Sequence, residues 1–207
     1  MNLRGHYKSR TVDFTNVTFN DYLSDINDII KVIEVPPILV GFSMGGILCQ
    51  KIAEYTDLAG LVLIDSSISK QVYDLVPENA NSDFAQMVIP APIRDGSSLD
   101  ESLDDIDFQK KYLSLESALA FREFAFTNDE SQGISIDSNL IHCPCLVIKA
   151  ISSDVDNERG LAEAKHLNAR YKGFYRLTHT GLLVGQRYLE VFDNIIAWLN
   201  EFFPQQN

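Results

Sequence analysis

The chain has 207 residues, 45% apolar and 22% charged, which suits one globular domain with one core. A formal net charge of −12 disfavours a nucleic-acid binder, which needs a basic face, and it weakly disfavours strongly anionic substrates. The start, Met1-Asn2-Leu3-Arg4-Gly5-His6, has no signal-peptide h-region, no apolar run is long enough to span a membrane, and Cys49, Cys143 and Cys145 form no spaced disulfide framework, so a cytoplasmic location is the expectation.

The first helix pattern begins near Phe19. Thr18 is placed to cap it, with Asp21 three residues on as an approximate capping box. Tyr22, Ile26, Ile29, Ile30 and Ile33 form an apolar stripe at helical spacing, and Pro36-Pro37 stops the pattern. Ile38-Leu39-Val40 reads as a buried strand, Gly46–Tyr55 as a helix, and Leu61–Ile64 as a second buried strand ending at Asp65. This alternation predicts an α/β fold, a parallel sheet with helices on its faces.

Residues 69–140 break the rhythm. They are helical in pattern, for example over Tyr112–Phe126, and read as an insertion within one domain spanning 1–207. The acidic residues crowded into Asp95–Asp107 read as a solvated face. Cys145–Ile148 then gives a third strand, Gly160–Asn168 a helix and Gly173–Leu177 a fourth strand. A last helix presents Tyr188, Phe192, Ile195, Ile196, Leu199 and Phe202 as a packing stripe.

Gly41-Phe42-Ser43-Met44-Gly45 matches G-x-S-x-G between an apolar strand and a helix. Such a turn strains the serine backbone and lifts its Oγ clear of the sheet. Side chains at 41 and 45 are expected to collide with the closely packed helix and strand. The helix start offers free N–H groups, and that of Met44 is aimed at a developing oxyanion. A serine needs a base, and the base needs an orienting acid, in the chain order Ser, acid, His. Asp154, just past the third strand, is the first choice of acid, with Asp156 and Asp65 as alternatives. His179 follows the last strand; His6, His142 and His166 sit elsewhere in the pattern. Cys143-Pro144-Cys145 is too tightly spaced for a zinc pair, and no G-x-G-x-x-G or Walker motif is present, so no metal or cofactor is expected.

These stretches resemble the α/β-hydrolase superfamily, in particular its small esterase, lactonase and perhydrolase-like members. Leu3–Ser9 is similar to the R-G-H-G-x-S segment after the family's fourth strand, with Tyr7 in place of the second Gly. Gly41–Gly46 is similar to the nucleophile elbow, Ser152–Asp154 to the acid loop, Thr178–Leu183 to the histidine loop, and 69–140 to the helical lid. The resemblance implies a serine hydrolase acting on a small ester-like substrate through Ser43, Asp154 and His179. Met44 would serve as oxyanion donor, and Phe42, Phe121 and Phe124 would be acyl-pocket walls. Family members carry strands before the R-G-H segment, which here starts at Arg4. The expectation is therefore a four-stranded sheet with Ile38–Val40 bare at its edge, which dimerises there or is completed by something outside this chain. A catalytically weak remnant acting as a binding module is the alternative function.

Overall fold

A computed structural model describes residues 1–77, 86–94, 96–126 and 133–204. Asp95 and parts of the expected insertion lie outside them.

Helix α1 spans Phe19–Ile30 and opens on the full Thr18/Asp21 capping box. It buries Phe19, Tyr22, Leu23 and Ile26, while Ile29 and Ile33 of the expected stripe are exposed. Strand β1 (Ile38–Phe42) leads through Ser43 into α2 (Met44–Ala53), and β2 (Gly60–Ile64) follows. The connection after β2 holds α3 (Lys70–Leu75), β3 (Val88–Ile89), α4 (Leu103–Lys110), β4 (Glu116–Ser117) and α5 (Ala118–Phe124). Then come β5 (Cys145–Ile151), α6 (Asp154–His166), β6 (Arg170–Tyr175), α7 (Gly181–Val184) and α8 (Tyr188–Phe202).

The main sheet is parallel in the order β1-β2-β5-β6, and β3 pairs antiparallel with β4 apart from it. One apolar layer lies between the sheet and α1, α2 and α6. The other lies between the sheet and α8. Among the described residues β1 pairs only with β2, so its other edge is bare, with Val40 57% exposed.

Several details differ from the sequence reading, among them β6, which starts three residues before the expected Gly173 and ends at Tyr175. Tyr112–Phe126 is not one helix, because Glu116 and Ser117 pair with β3 and Ser117 then caps α5. Helix α6 starts six residues before the expected Gly160. A capping box, Ser153 with Asp156, nucleates it there. On α8 the buried residues are Val191 and Trp198, and Tyr188, Phe192, Ile196 and Phe202 face outward. The acidic stretch is not uniformly solvated either: Asp104 and Asp107 are exposed, but Asp100 and Glu101 are buried.

Candidate active site

Ser43 occupies the turn between β1 and α2 with φ +54° and ψ −124°, a region that costs a non-glycine residue about 1–3 kcal/mol. Backbone bonds over-determine it. Its N–H donates to Ile64 C=O at 3.1 Å, and its C=O accepts from Gly46 N–H at 2.9 Å and Ser67 N–H at 3.0 Å. The glycines at 41 and 46 are sterically required. A Cβ on Gly41 would come within 2.3 Å of Gly45 C=O, and one on Gly46 within 2.4 Å of the Ser66 side chain. Gly45 is different: nothing lies within 4 Å of a Cβ there, so the collision expected from the sequence does not occur at that position. Met44 is the first residue of α2, so its N–H has no partner within the helix.

Ser43, Met44, Asp65 and His179 all line one cavity of about 750 Å³. That is a size suited to small-molecule ligands. Phe121, Phe124, Phe126 and Leu99 give it an apolar wall, and besides Asp65 its charged members are Glu116, Lys149, Asp156 and Arg159. The three aromatics and Glu116 come from the long connection after β2.

The His179 ring is held by Asp65. Its Nδ1 lies 2.6 Å from Asp65 Oδ2, and the Phe42 ring stacks on the imidazole with centroids 4.4 Å apart. Phe42, expected at an acyl wall, therefore buttresses the imidazole. The second Asp65 oxygen, Oδ1, lies 2.8 Å from Lys149 Nζ. Burial pushes the Asp65 carboxyl up, but the His179 hydrogen bond and the Lys149 charge outweigh it and leave the group below the usual range. Asp65 is thus an ionised, doubly paired acid. Its own backbone is left-handed, φ +43°, a conformation aspartate tolerates at strand ends.

Asp154, the acid favoured by the sequence, is instead the exposed first residue of α6. Asp156 also sits in that first turn. Its Oδ2 accepts from the N–H and hydroxyl of both Ser152 and Ser153, which occupies it as a cap. The capping box draws both candidates into the helix start, while Asp65 at the end of the adjacent strand reaches the imidazole.

Behind Asp65 lies a buried polar cluster. Glu163, 1% exposed, accepts from Gln50 Nε2 at 2.9 Å, and Gln50 also donates to Ser66 Oγ at 3.0 Å. Burial pushes the Glu163 carboxyl up to about 7, with Lys149 opposing and Asp65 adding to the rise. Among the described residues no group of three or more His, Cys, Asp or Glu is arranged to hold a metal ion, and no helix is long and apolar enough to cross a membrane.

A family model described as the alpha/beta hydrolase family matches residues 1–191. No curated protein matches the chain. Among solved structures, a monoacylglycerol lipase from Paleococcus ferrophilus is 15% identical at a TM-score of 0.65, over 97% of this chain and 82% of its own. Tomato methylketone synthase I, solved with beta-ketoheptanoate, is 11% identical at 0.67, over 98% and 86%. MenH from S. aureus is 16% identical at 0.66, over 98% and 82%. At such identities the likeness is one of fold.

Proposed function

The chain belongs to the alpha/beta hydrolase family, and on that footing we propose that it is a serine hydrolase cleaving an ester or related acyl bond. Ser43 is the nucleophile, His179 the base, and Asp65 the acid that orients it. One observation carries the reading. A strained serine opens into the cavity where an Asp-bound imidazole also stands.

In the first half-reaction Ser43 Oγ bonds to the acyl carbon while His179 Nε2 takes the hydroxyl proton. The carbonyl π electrons move to oxygen, and the Met44 N–H donates to that oxyanion. Collapse expels the alcohol, which leaves with the proton from His179. In the second, water attacks the acyl-serine with the same proton path, releasing the acid and restoring Ser43. Asp65 keeps the Nδ1 proton in place and balances the imidazolium charge; it does not itself take the proton. Phe121 and Phe124 suit an apolar acyl group, and the connection holding them acts as a lid. The names of solved relatives, a monoacylglycerol lipase and a thermophilic esterase among them, agree with acyl chemistry.

The test is fluorophosphonate labelling of the purified chain, located by peptide mass. Labelling at Ser43 that is abolished in Ser43→Ala and strongly slowed in His179→Ala supports the reading. A folded chain that takes no label sinks it. The bare β1 edge favours a second reading, a catalytically weak binding module, and that reading takes over on the latter outcome.

A further inference from the structure

We propose that Glu101 is a positioning residue for His179, so that the connection between β2 and β5 is a structural part of the catalytic base's loop as well as a cavity wall. The inference rests on the reading of His179 as the base.

The His179 side chain is 45% exposed, so packing alone does not cage it. Its ring is held by Asp65 and Phe42, but its backbone is held through the residues on either side. Glu101, buried to 1% exposure, takes both of them. Its Oε2 accepts from Thr178 Oγ1 at 2.8 Å, and its Oε1 accepts from Thr180 Oγ1 at 2.5 Å. Neighbouring Asp100 adds to the grip, since both its carboxylate oxygens lie 3.1 Å from Thr178 N–H. The two segments fit closely enough that a Cβ on Gly181 would lie 1.9 Å from Asp100 Oδ2. None of these contacts involves the reacting atoms, so Glu101 acts through the loop.

The chemistry at this point requires a carboxylate. Besides the two threonine hydroxyls, Glu101 accepts from Ser98 Oγ at 2.6 Å, Arg94 Nη2 at 2.9 Å and Gln109 Nε2 at 2.6 Å. Five donors converge on two oxygens, which only an acceptor-only group satisfies. Burial pushes the Glu101 carboxyl up, but the bonds from Ser98, Thr180, Gln109 and Thr178 overcome it and hold the group down at about 2. A glutamine of the same shape would turn an NH₂ onto two donors and release part of the clamp. A displacement of the base by about 1 Å suffices to slow chemistry by about 10²-fold.

The experiment follows fluorophosphonate labelling and p-nitrophenyl butyrate hydrolysis by the full chain carrying Thr180→Val, Thr180→Ser or Glu101→Gln. Thr180→Val keeps the shape and removes the hydroxyl; Thr180→Ser keeps the hydroxyl. The expected result is that Thr180→Val and Glu101→Gln each lower kcat and the labelling rate by about 10-fold or more with KM changed less than about twofold, that Thr180→Ser restores most of the loss, and that a chain carrying both Thr180→Val and Glu101→Gln is no slower than Glu101→Gln alone. Labelling of Thr180→Val at the wild-type rate would overturn the inference. So would equal losses in Thr180→Val and Thr180→Ser, which mark a packing role. Both leave the triad standing, because the wild type still labels at Ser43. A wild type that takes no label removes the triad reading, and this inference falls with it.

Discussion

Asp65 carries its two partners on separate oxygens, His179 on one and Lys149 on the other. The division predicts two distinct phenotypes. Asp65→Asn presents the imidazole with the wrong tautomer partner and is expected to lower kcat by about 10³–10⁴-fold, whereas Asp154→Asn, altering an exposed helix-start residue, stays within about twofold. Steady-state hydrolysis of one ester by both variants checks this. Lys149→Met instead leaves a buried carboxylate half-paired. It is expected to cost about 3 kcal/mol in urea unfolding. Ser43 and His179, the proposed nucleophile and base, are readable in the sequence because motif and position in the strand order coincide. Asp65 is only an alternative on the strand order alone, yet the sequence carries a signal for it. A lysine within the apolar strand Cys145–Ile151 needs a carboxylate beside it. The parallel register pairs Ile148 with Ile64, which brings Lys149 level with Asp65. Sequence patterns give the strands but not their neighbours, and the proposed acid is marked by its neighbours.

At the scale of elements, the strand–helix alternation was readable because buried parallel strands are short apolar runs. The boundaries that failed were set by single polar side chains. Ser153 and Asp156 form a capping box that lengthens α6 by nearly two turns and turns a supposed acid loop into a helix start. Ser153→Ala is expected to cost about 1 kcal/mol with no loss of esterase turnover, read from urea midpoints and activity together. The insertion defeated periodicity for another reason. Its packing is set by contacts far apart in sequence, as when Ser117 Oγ donates to Val17 C=O at 2.6 Å. The bare β1 edge, with Val40 exposed, carries its own expectation. Unpaired strand edges recruit other strands, and a lysine on the edge suppresses this. Sedimentation should show concentration-dependent association of the wild type, which Val40→Lys shifts towards monomer.

Across the whole molecule, buried carboxylates pull stability in opposite directions with pH. Glu101 and Asp65 titrate below their unfolded values, so the stability they contribute is present above about pH 4.5 and is lost as pH falls through their folded values. Glu163 is raised from 4.5 to about 7, so its contribution is complete below 4.5 and is lost as pH rises through 7. That rise corresponds to on the order of 3 kcal/mol. Together these place the stability maximum near pH 5, on the acid side of the usual range. The net charge of −12 acts in the same direction, because self-repulsion grows above the pI of about 4.6. The two causes separate by salt and by mutation. Repulsion between exposed charges is screened at 1 M salt, whereas the cost of ionising Glu163 inside the core is not. Glu163→Gln removes the buried ionisation and keeps an oxygen to accept from Gln50. Its Tm is expected to fall less from pH 5 to 7 than that of the wild type, and the difference is expected to persist in 1 M salt, where the variant's Tm stays nearly level. A Glu163→Gln chain whose Tm falls as steeply as the wild type, with both slopes abolished by salt, would assign the whole effect to the surface.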